Sequence, residues 1–207
     1  MAEPIKINIY RNNSIDELTS HISNPDDRAN TGSAAAASAA LAAALLARAA
    51  AACSSTFPQP TEEDKEKLNW YVRNTEILRS YMINLVDEDV KCHGPLRRAL
   101  KEGEPQRIEA SRQAAVSICL EIVNMMGTCL EMAEGLIPFT DSVSRANVAA
   151  CADLAYGASH AAGHYVLSLS EQSADDTYRY VMRRENELTM QQQRAIYQRL
   201  ITSPENR

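Results

Sequence analysis

Hydrophobic positions recur at helical spacing over most of the chain. Between Glu62 and Cys92 apolar residues follow one another at steps of three and four, which places them along one face of a helix. Segments 105–132, 142–169 and 174–200 predict three further long helices, and the last is so polar that we expect it to lie on the outside or against a partner. Long β-branched runs are nearly absent. The pattern therefore predicts an all-α protein.

The segment from Asn30 to Ala52 differs from the other helices because it is built of alanine. From Ala34 to Ala52 it holds fourteen alanines, three leucines, one serine and one arginine. Alanine is the strongest intrinsic helix former, and its short side chain lets neighbouring backbones approach on every face. We expect this helix at the centre of a bundle or across a subunit interface.

Local signals mark where several helices begin and end. Ser14 with Glu17, and Thr61 with Asp64, have the spacing of capping boxes, and the first pair predicts a short helix that ends near His21 or Ile22. The residues NPDDR at 24–28 predict a turn before the alanine-rich helix.

Two further segments predict departures from regular helix. Gly94 and Pro95 are expected to interrupt the long helix that begins at Glu62, with a further turn or two before Gly103. At the N-terminus, isoleucines alternate with polar residues over 5–9, which fits either a short edge strand or an extended arm.

Size and composition fit one folded domain. The chain has 207 residues, of which 45% are hydrophobic and 23% charged, and neither an internal repeat nor a low-complexity linker divides it. We expect a single domain over residues 1–207 that forms an up-and-down bundle of about five to six helices around the alanine-rich one.

Charge and cysteine content narrow the function classes. A net charge of -6 argues against a nucleic-acid or anionic-membrane binder, because both need a basic surface. The alanine-rich run carries Arg48 and is only weakly apolar, so we do not interpret it as a membrane span. Five widely spaced cysteines without a Cys-x-x-Cys pair fit reduced thiols, and no secretion signal is visible, so we expect a cytoplasmic protein.

The start of the alanine-rich helix is the first candidate site. Thr31, Gly32 and Ser33 precede the alanines, so free N–H groups, a hydroxyl and the positive end of the helix dipole meet there and suit an anion. A purely structural interpretation is open as well, with Thr31 or Ser33 as N-cap and Gly32 in a turn.

Acidic residues form the second candidate. Asp87, Glu88 and Asp89 follow one another near His93, and on a helix Asp87 and Asp89 point about 200° apart, so at most one is expected to face the bundle interior. The alternative is a solvated acidic surface.

A stripe of possible metal ligands lies on the fifth long helix. Asp153, Tyr156, His160 and His164 share one helix face, but the glutamate of the HExxH metalloprotease motif is absent. We interpret the stripe as a polar helix face or an interface and predict no metal site.

The same helix opens with an unexpected cation. The sequence DSVSRAN at 141–147 offers Asp141 or Ser142 as a cap, whereas Arg145 stands in the first turn, where the helix dipole disfavours positive charge. Arg145 is expected to meet a carboxylate from this chain, another subunit or a ligand.

Taken together, these segments resemble the cyclodeaminase/cyclohydrolase family, all-helical folate enzymes that include formiminotetrahydrofolate cyclodeaminase and methenyltetrahydrofolate cyclohydrolase. The resemblance spans residues 15–176. It rests on three motifs in family order, namely TGSAAAASAALAAALLARAA, LVDEDVKCHGPLRRAL and SVSRANVAACADLAYGASHAAGHYVLSLS.

The resemblance implies a homodimer or higher homo-oligomer, a small-molecule substrate bound in a cleft near the subunit interface, and no metal or other cofactor. The family's default substrate is a tetrahydrofolate derivative. The reaction adds a nucleophile to an amidine-like carbon or expels one from it, which needs a proton acceptor and donor and a group that stabilises the cationic centre. Asp87 or Asp89 fits these needs.

The chain departs from the family pattern at three places. The glycine-rich loop of the family reads Asn30-Thr31-Gly32-Ser33 here, its Ser-Asp pair reads Ser144-Arg145, and two positions that often hold asparagine are His164 and Ser168. We predict catalytic roles for Asp87, Asp89 and His164. The predicted substrate-binding residues are Thr31, Gly32, Ser33, His93, Ser144, Arg145 and Ser168.

Three hypotheses about function follow. The first is an enzyme of this type acting on a C–N bond at an imine, iminium or amidine carbon. The second is a repurposed homologue that forms or opens a nitrogen ring in a specialised biosynthetic pathway, as the changes at Arg145 and His164 suggest. The third is a non-catalytic helical binding or assembly protein, which the polar last helix would suit.

Overall fold

The computed structural model describes residues 9–202, which form six α-helices and two short 3-10 segments. The predicted N-terminal strand or arm lies outside the described residues except for Ile9. The 3-10 segments are Tyr10–Asn12 and Ile137–Phe139. The helices are α1 (Ile15–Ser23), α2 (Thr31–Thr56), α3 (Glu62–Glu102), α4 (Pro105–Leu136), α5 (Ser142–Ser170) and α6 (Asp176–Thr202).

Helix α2 is the centre of the bundle, as its alanines predicted. It packs extensively against α3 and α5 and also touches α4. Ala36, Ala39 and Ala43 are fully buried, and Leu46 is the largest fully buried side chain of this helix. Because these side chains are short, three helices can approach the same segment of backbone.

The helix starts predicted by the two capping boxes are confirmed, whereas α2 begins one step earlier than its predicted caps and α6 begins at Asp176 instead of Ala174. Ser14 with Glu17 and Thr61 with Asp64 form complete capping boxes at α1 and α3. The N-cap of α2 is Asn30, so Thr31 and Gly32 already belong to the first helical turn. The Asn30 amide oxygen accepts the N–H of Gly32 at 2.8 Å, which an asparagine cap does as well as a threonine or serine.

The predicted break of α3 at Gly94 and Pro95 is wrong. The helix runs through both residues and ends only before Gly103, whose φ of 73° is the left-handed geometry that glycine tolerates. A proline inside a helix removes one hydrogen bond and costs roughly 3 kcal/mol. His93, Leu96 and Ala99 are buried on either side of it, so burial of this last stretch outweighs the local cost.

Helix α6 packs on α4 and α5, and the buried amide of Gln193 fastens it there. The Gln193 side chain accepts from Ser159 Oγ at 2.5 Å and donates to the Val123 carbonyl at 2.7 Å, which joins three helices. Asn186 lies against Gly163, where a side chain on the glycine would clash with the amide oxygen. Although the sequence of α6 is polar, its inner face is therefore anchored to the bundle.

Two segments, α2 and 105–139, are long and apolar enough to cross a membrane by length and composition alone. Half of each apolar stretch is buried inside the bundle.

We expect Gln193→Ala to lower the free energy of unfolding by about 2 to 4 kcal/mol, because it removes two hydrogen bonds and leaves the Val123 carbonyl and the Ser159 hydroxyl buried without their partner. Urea unfolding measures the change. Gln192→Ala, its exposed neighbour in the same QQQ run, is the matched control and should stay within about 0.5 kcal/mol of the parent. Equal losses in the two variants would contradict the anchoring role.

Candidate functional site

The N-terminus of α2 meets the second half of α3 and the C-terminal half of α5 at one end of the bundle. Ser33 of α2 contacts Asp89 of α3, and His93 of α3 contacts Tyr165 of α5. Helices α2 and α5 are antiparallel, since Ser144 at the start of α5 interacts with the Cys53 thiol near the end of α2. Three helices thus bring polar side chains to the same end.

Asp89 binds the first turn of α2 through two side chains. Its Oδ2 atom accepts a hydrogen bond from Ser33 Oγ at 2.5 Å and another from Asn30 Nδ2 at 3.1 Å. The Asn30 side chain also caps the helix, so it couples the cap to the carboxyl group. Asp89 and Ser33 are both completely buried.

Gly32 makes this approach possible. A Cβ atom built on Gly32 would lie 2.1 Å from Oδ1 and 2.7 Å from Cγ of Asp89. No other residue type leaves room for the carboxyl group against the backbone of the first turn. Packing therefore requires glycine at position 32, while Ser33 contributes a hydrogen bond to Asp89, and neither residue of the predicted Gly-Ser pair lines the cleft itself.

Burial dominates the electrostatics of Asp89. Desolvation raises its pKa, hydrogen bonds from Ser33 and Asn30 lower it, and the net pKa is about 6. Within residues 9–202 its second oxygen, Oδ1, has no hydrogen-bond partner. Asp89 therefore carries a proton for part of the time near neutral pH.

A cleft of about 550 Å³ opens above this cluster. Asn30, Thr31 and Ala34 of the α2 start form part of its wall, and His93 and Tyr165 form another part. Asp89 lies beneath the cleft, because Asn30 and Ser33 separate it from solvent. The remaining wall comes from the α1–α2 connection and α3, namely Ile22, Asn24, Pro25, Asp27, Arg28, Ala29 and Arg97.

His93 and Tyr165 form a hydrogen-bonded pair in the cleft wall, with the Tyr165 hydroxyl on Nε2 of His93 and the rings stacked at 5.5 Å. Burial, with the nearby Arg97 charge, lowers the pKa of His93, so its imidazole is neutral at pH 7. Burial and the Asp89 and Cys119 groups raise the pKa of Tyr165, so the hydroxyl keeps its proton. The His93 Nδ1 atom is buried and has no partner within the described chain.

Asp27 contributes a permanent negative charge to the cleft wall. Burial alone would raise its pKa, but the Ala29 N–H, His21, Tyr10 and the Arg28 N–H lower it to about 2. The carboxylate is therefore ionised throughout the neutral range. Its hydrogen bonds also fix the turn that carries it.

Asp87 faces a different part of the molecule from Asp89. Its Oδ1 atom accepts the backbone N–H groups of Tyr10 at 2.7 Å and Arg11 at 3.1 Å, and its Oδ2 atom lies 3.4 Å from Arg11 Nε. The carboxylate thereby caps the first 3-10 segment. Asp87 does not line the cleft, although it is buried as well.

Ser144 and Arg145 lie at the opposite end of the bundle. Ser144 interacts with Cys53, which is twenty residues and therefore about 30 Å along α2 from Ser33. Arg145 reaches back to Thr140, with its Nε atom 3.3 Å from the threonine hydroxyl. Within one chain these two residues are not brought together with the cleft.

His164 and Ser168 are exposed on α5 and do not line the cleft either. The His160 and His164 rings are 6.0 Å apart, while Asp153 accepts a hydrogen bond from Tyr197. Among residues 9–202 no group of three or more His, Cys, Asp or Glu side chains is placed to hold a metal ion.

Sequence reasoning missed Tyr165 and the role of Asp27. Tyr165 lies three residues after Ala162 and seven after Ala158, both buried, so a hydroxyl on the core-facing stripe of α5 was the available signal. Asp27 carried no signal beyond that of a turn residue. Thr31, Gly32, Ser33, Asp89 and His93 are the predicted site residues that the structure brings together.

Comparison with known proteins gives two findings. A profile of the formiminotransferase-cyclodeaminase family matches residues 14–187. Among solved structures, formiminotetrahydrofolate cyclodeaminase from Thermotoga maritima superposes with a TM-score of 0.82 at 20% sequence identity, over 92% of this chain and 94% of that one. No curated protein sequence matches the chain.

For Gly32→Ala, the sign of the change in unfolding free energy distinguishes two opposing effects. Helix propensity alone would stabilise the variant by about 1 kcal/mol, whereas the contact with Asp89 should destabilise it by about 1 to 3 kcal/mol. Gly157→Ala on α5 is the matched control, because a Cβ there meets nothing within 4 Å and should stabilise. Urea unfolding of both variants decides, and a stabilised Gly32→Ala would refute the packing requirement.

The raised pKa of Asp89 predicts a pH-dependent stability. Because the folded-state pKa is above the unfolded value, protonation stabilises the native state at low pH, and this contribution is lost as pH rises through about 6. Between about pH 4 and pH 7 the unfolding free energy of the parent should fall by about 2 kcal/mol more than that of Asp89→Asn. Parallel pH curves from urea unfolding would contradict the assignment.

Proposed function

This chain belongs to the formiminotransferase-cyclodeaminase family, and from that premise we propose that it is an enzyme of the cyclodeaminase/cyclohydrolase type. It acts on a C–N bond at an imine, iminium or amidine carbon, and its substrate is a one-carbon derivative of tetrahydrofolate. The family match supports the reaction class. The likeness to the Thermotoga protein, at 20% identity, supports the fold.

The observation that carries the proposal is the His93–Tyr165 pair in the cleft wall. A neutral imidazole is the proton acceptor that this chemistry needs near neutral pH, and burial keeps His93 in that form. Both side chains line the cleft, and Tyr165 is the more exposed partner. Its hydroxyl is placed to pass a proton to Nε2 of His93.

We assign the steps by proton balance. In ring opening, water adds to the cationic amidine carbon, one of its protons passes through Tyr165 to His93 and returns to the ring nitrogen as the C–N bond breaks, and its second proton is released to solvent as the carbonyl forms. In ring closure with loss of ammonia, the nitrogen that enters the new ring adds to the carbon of the protonated formimino group, His93 takes its proton, and the formimino nitrogen receives that proton and leaves as ammonia, so that the new ring keeps the positive charge. Both sequences use one acceptor that later becomes the donor.

Asp27 supplies the negative charge for the cationic carbon. It lines the cleft and is ionised at every pH at which His93 is neutral, because its pKa is about 2. A fixed carboxylate beside a developing positive charge stabilises the transition state without reorganising. Thr31 and the Asn30 side chain complete the polar wall at the helix start.

Asp89 acts as a positioning residue in this proposal. It is completely buried beneath the cleft and holds Asn30 and Ser33 in place, so it does not touch the substrate. Of the two aspartates predicted from the sequence, Asp89 is therefore the one retained, in a supporting role.

The proposed assembly is a homodimer or larger homo-oligomer that needs no cofactor and works in the cytoplasm. An apolar groove of about 530 Å³ between α1, α2 and α3, with Leu41 55% exposed in its wall, supports an interface between copies. Ser144 and Arg145 would reach a cleft only from another copy. Sedimentation equilibrium tests whether copies of the chain associate, and a monomer at micromolar concentration would contradict the proposed oligomer.

A second candidate is a homologue that opens or closes a nitrogen ring on a substrate other than a folate. Asn30 favours it, because its side chain lines the cleft at the helix start, where the family loop is glycine-rich. Turnover of other cyclic amidines without turnover of folates would select this alternative.

Absorbance assays with methenyl- and formimino-tetrahydrofolate test the proposal. The parent should turn over at least one of them, and His93→Gln and Tyr165→Phe should each lower kcat by about 10²- to 10⁴-fold, the usual contribution of a general acid–base group. The kcat/KM of the parent should fall on the acid side as His93 is protonated, below the ordinary histidine pKa.

His160→Gln and Tyr180→Phe are the matched controls outside the cleft, and both should keep parental rates. No turnover of either compound by the parent would remove the folate version. An undiminished rate in His93→Gln would remove the proposed proton acceptor.

A further inference from the structure

Cys129 of α4 and Cys151 of α5 meet in the core of the bundle, with their sulfur atoms 3.6 Å apart. Both side chains are completely buried. We propose that this pair is a redox-modification site, at which a peroxide joins the two thiols in a disulfide that ties α4 to α5. The inference is independent of the proposed function, because neither cysteine lines the cleft.

The sulfur contact is particular to this pair. All five cysteines lie within the described residues, and all of them are free thiols. Cys53 and Cys119 are buried as well, but neither makes a sulfur–sulfur contact within the described chain. Burial of a cysteine therefore does not by itself produce such a contact, which needs two helices that present their thiols at the same level.

Only a small movement separates this contact from a covalent bond. A disulfide has a sulfur–sulfur distance of about 2 Å, so the two atoms must approach each other by ~1.5 Å. Rotation of the two side chains about their Cα–Cβ bonds can supply a displacement of this size. Because the two cysteines are 22 positions apart, the bond would close a loop that contains the Ile137–Phe139 segment between the two helices.

The proposed reaction balances with hydrogen peroxide as the oxidant. One thiol, as its thiolate, attacks the O–O bond and becomes a sulfenic acid, and the other peroxide oxygen leaves as water. The second thiol displaces the sulfenic oxygen, so that the S–S bond forms and a second water leaves. Two thiols and one peroxide thus give one disulfide and two waters, and the two electrons lost by sulfur reduce the O–O bond. Because the second sulfur is adjacent, this step is favoured over further oxidation of the sulfenic acid.

The surroundings of the pair make the reaction slow. The contact with Cys129 and burial raise the pKa of Cys151 well above the usual thiol range. The Cys151 thiol therefore keeps its proton near neutral pH, and peroxide reaches the pair only when the core opens transiently. Cys92, which is partly exposed, should be oxidised first. The pair thus responds to prolonged oxidation and not to a brief exposure.

The cross-link should stabilise the bundle and leave the cleft unchanged. A disulfide reduces the conformational entropy of the unfolded chain, so the oxidised protein should have a Tm roughly 5 to 10 °C above that of the reduced protein. Cys151 is fourteen residues from Tyr165, about 21 Å along α5. Any turnover measured for the reduced protein should therefore persist after oxidation.

Peptide mapping of the full chain tests the proposal. The native protein is held overnight in hydrogen peroxide, its remaining thiols are blocked with N-ethylmaleimide in urea, and the chain is cleaved after Lys, Arg and Glu. Peptides 122–131 and 146–171, which carry one cysteine each, should be recovered joined with the loss of two hydrogen atoms. Dithiothreitol should separate them. Differential scanning calorimetry before and after oxidation measures the shift in Tm.

Cys151→Ala and Cys119→Ala are matched variants, since each removes one fully buried thiol. Cys119→Ala should still form the bond and show the rise in Tm, whereas Cys151→Ala should lose both. The proposal is overturned if Cys129 and Cys151 of the parent stay reduced, or are oxidised singly, once Cys92 has been fully oxidised. The mapping of the parent does not require either variant to fold, and no outcome depends on whether the enzyme turns over a folate.

Discussion

The contact between the Asp89 carboxyl group and the first turn of α2 determines how this end of the bundle is assembled. One carboxyl oxygen holds the Ser33 hydroxyl and the Asn30 amide, while the other lies against the backbone of Gly32. A buried carboxyl group loses its hydration, so it is retained only where donors compensate for that loss. Here the donors belong to a different helix, and the register between α2 and α3 is therefore fixed to within a residue.

That register places the cleft. Because Asp89 is bound to α2, His93 one turn later lies beside the helix start, and Arg97 a further turn on reaches the α1–α2 connection. Tyr165 then meets His93 from α5. Asp89, His93 and Arg97, spaced four residues apart on one face of α3, thus each make a polar contact with another segment. Three successive turns of α3 therefore each bring a polar side chain to this end of the bundle, where Tyr165 of α5 and the α1–α2 connection meet them.

Much of the fold could be predicted from the sequence because its signals are local. Each capping box lies within four residues, and an alanine run is a helix in almost any surroundings. The predicted break in α3 was wrong because the deciding contacts are not local. Burial of Leu96 and Ala99 by other helices outweighed the cost of Pro95. In the site, Gly32, Ser33 and His93 could be singled out from their residue types alone. The pairing of His93 with Tyr165 spans 72 positions and carried no local trace.

The alanines of α2 have a consequence for how this protein can change over time. A fully buried Ala36, Ala39 or Ala43 admits few replacements, because any larger side chain would push three helices apart at once. We therefore expect replacements to be tolerated mainly at exposed positions, such as the outer face of α6, which can change without moving the centre. A central helix built almost entirely of alanine carries few distinctive residues. The backbone shape of such a bundle therefore identifies its relatives better than its amino-acid sequence does.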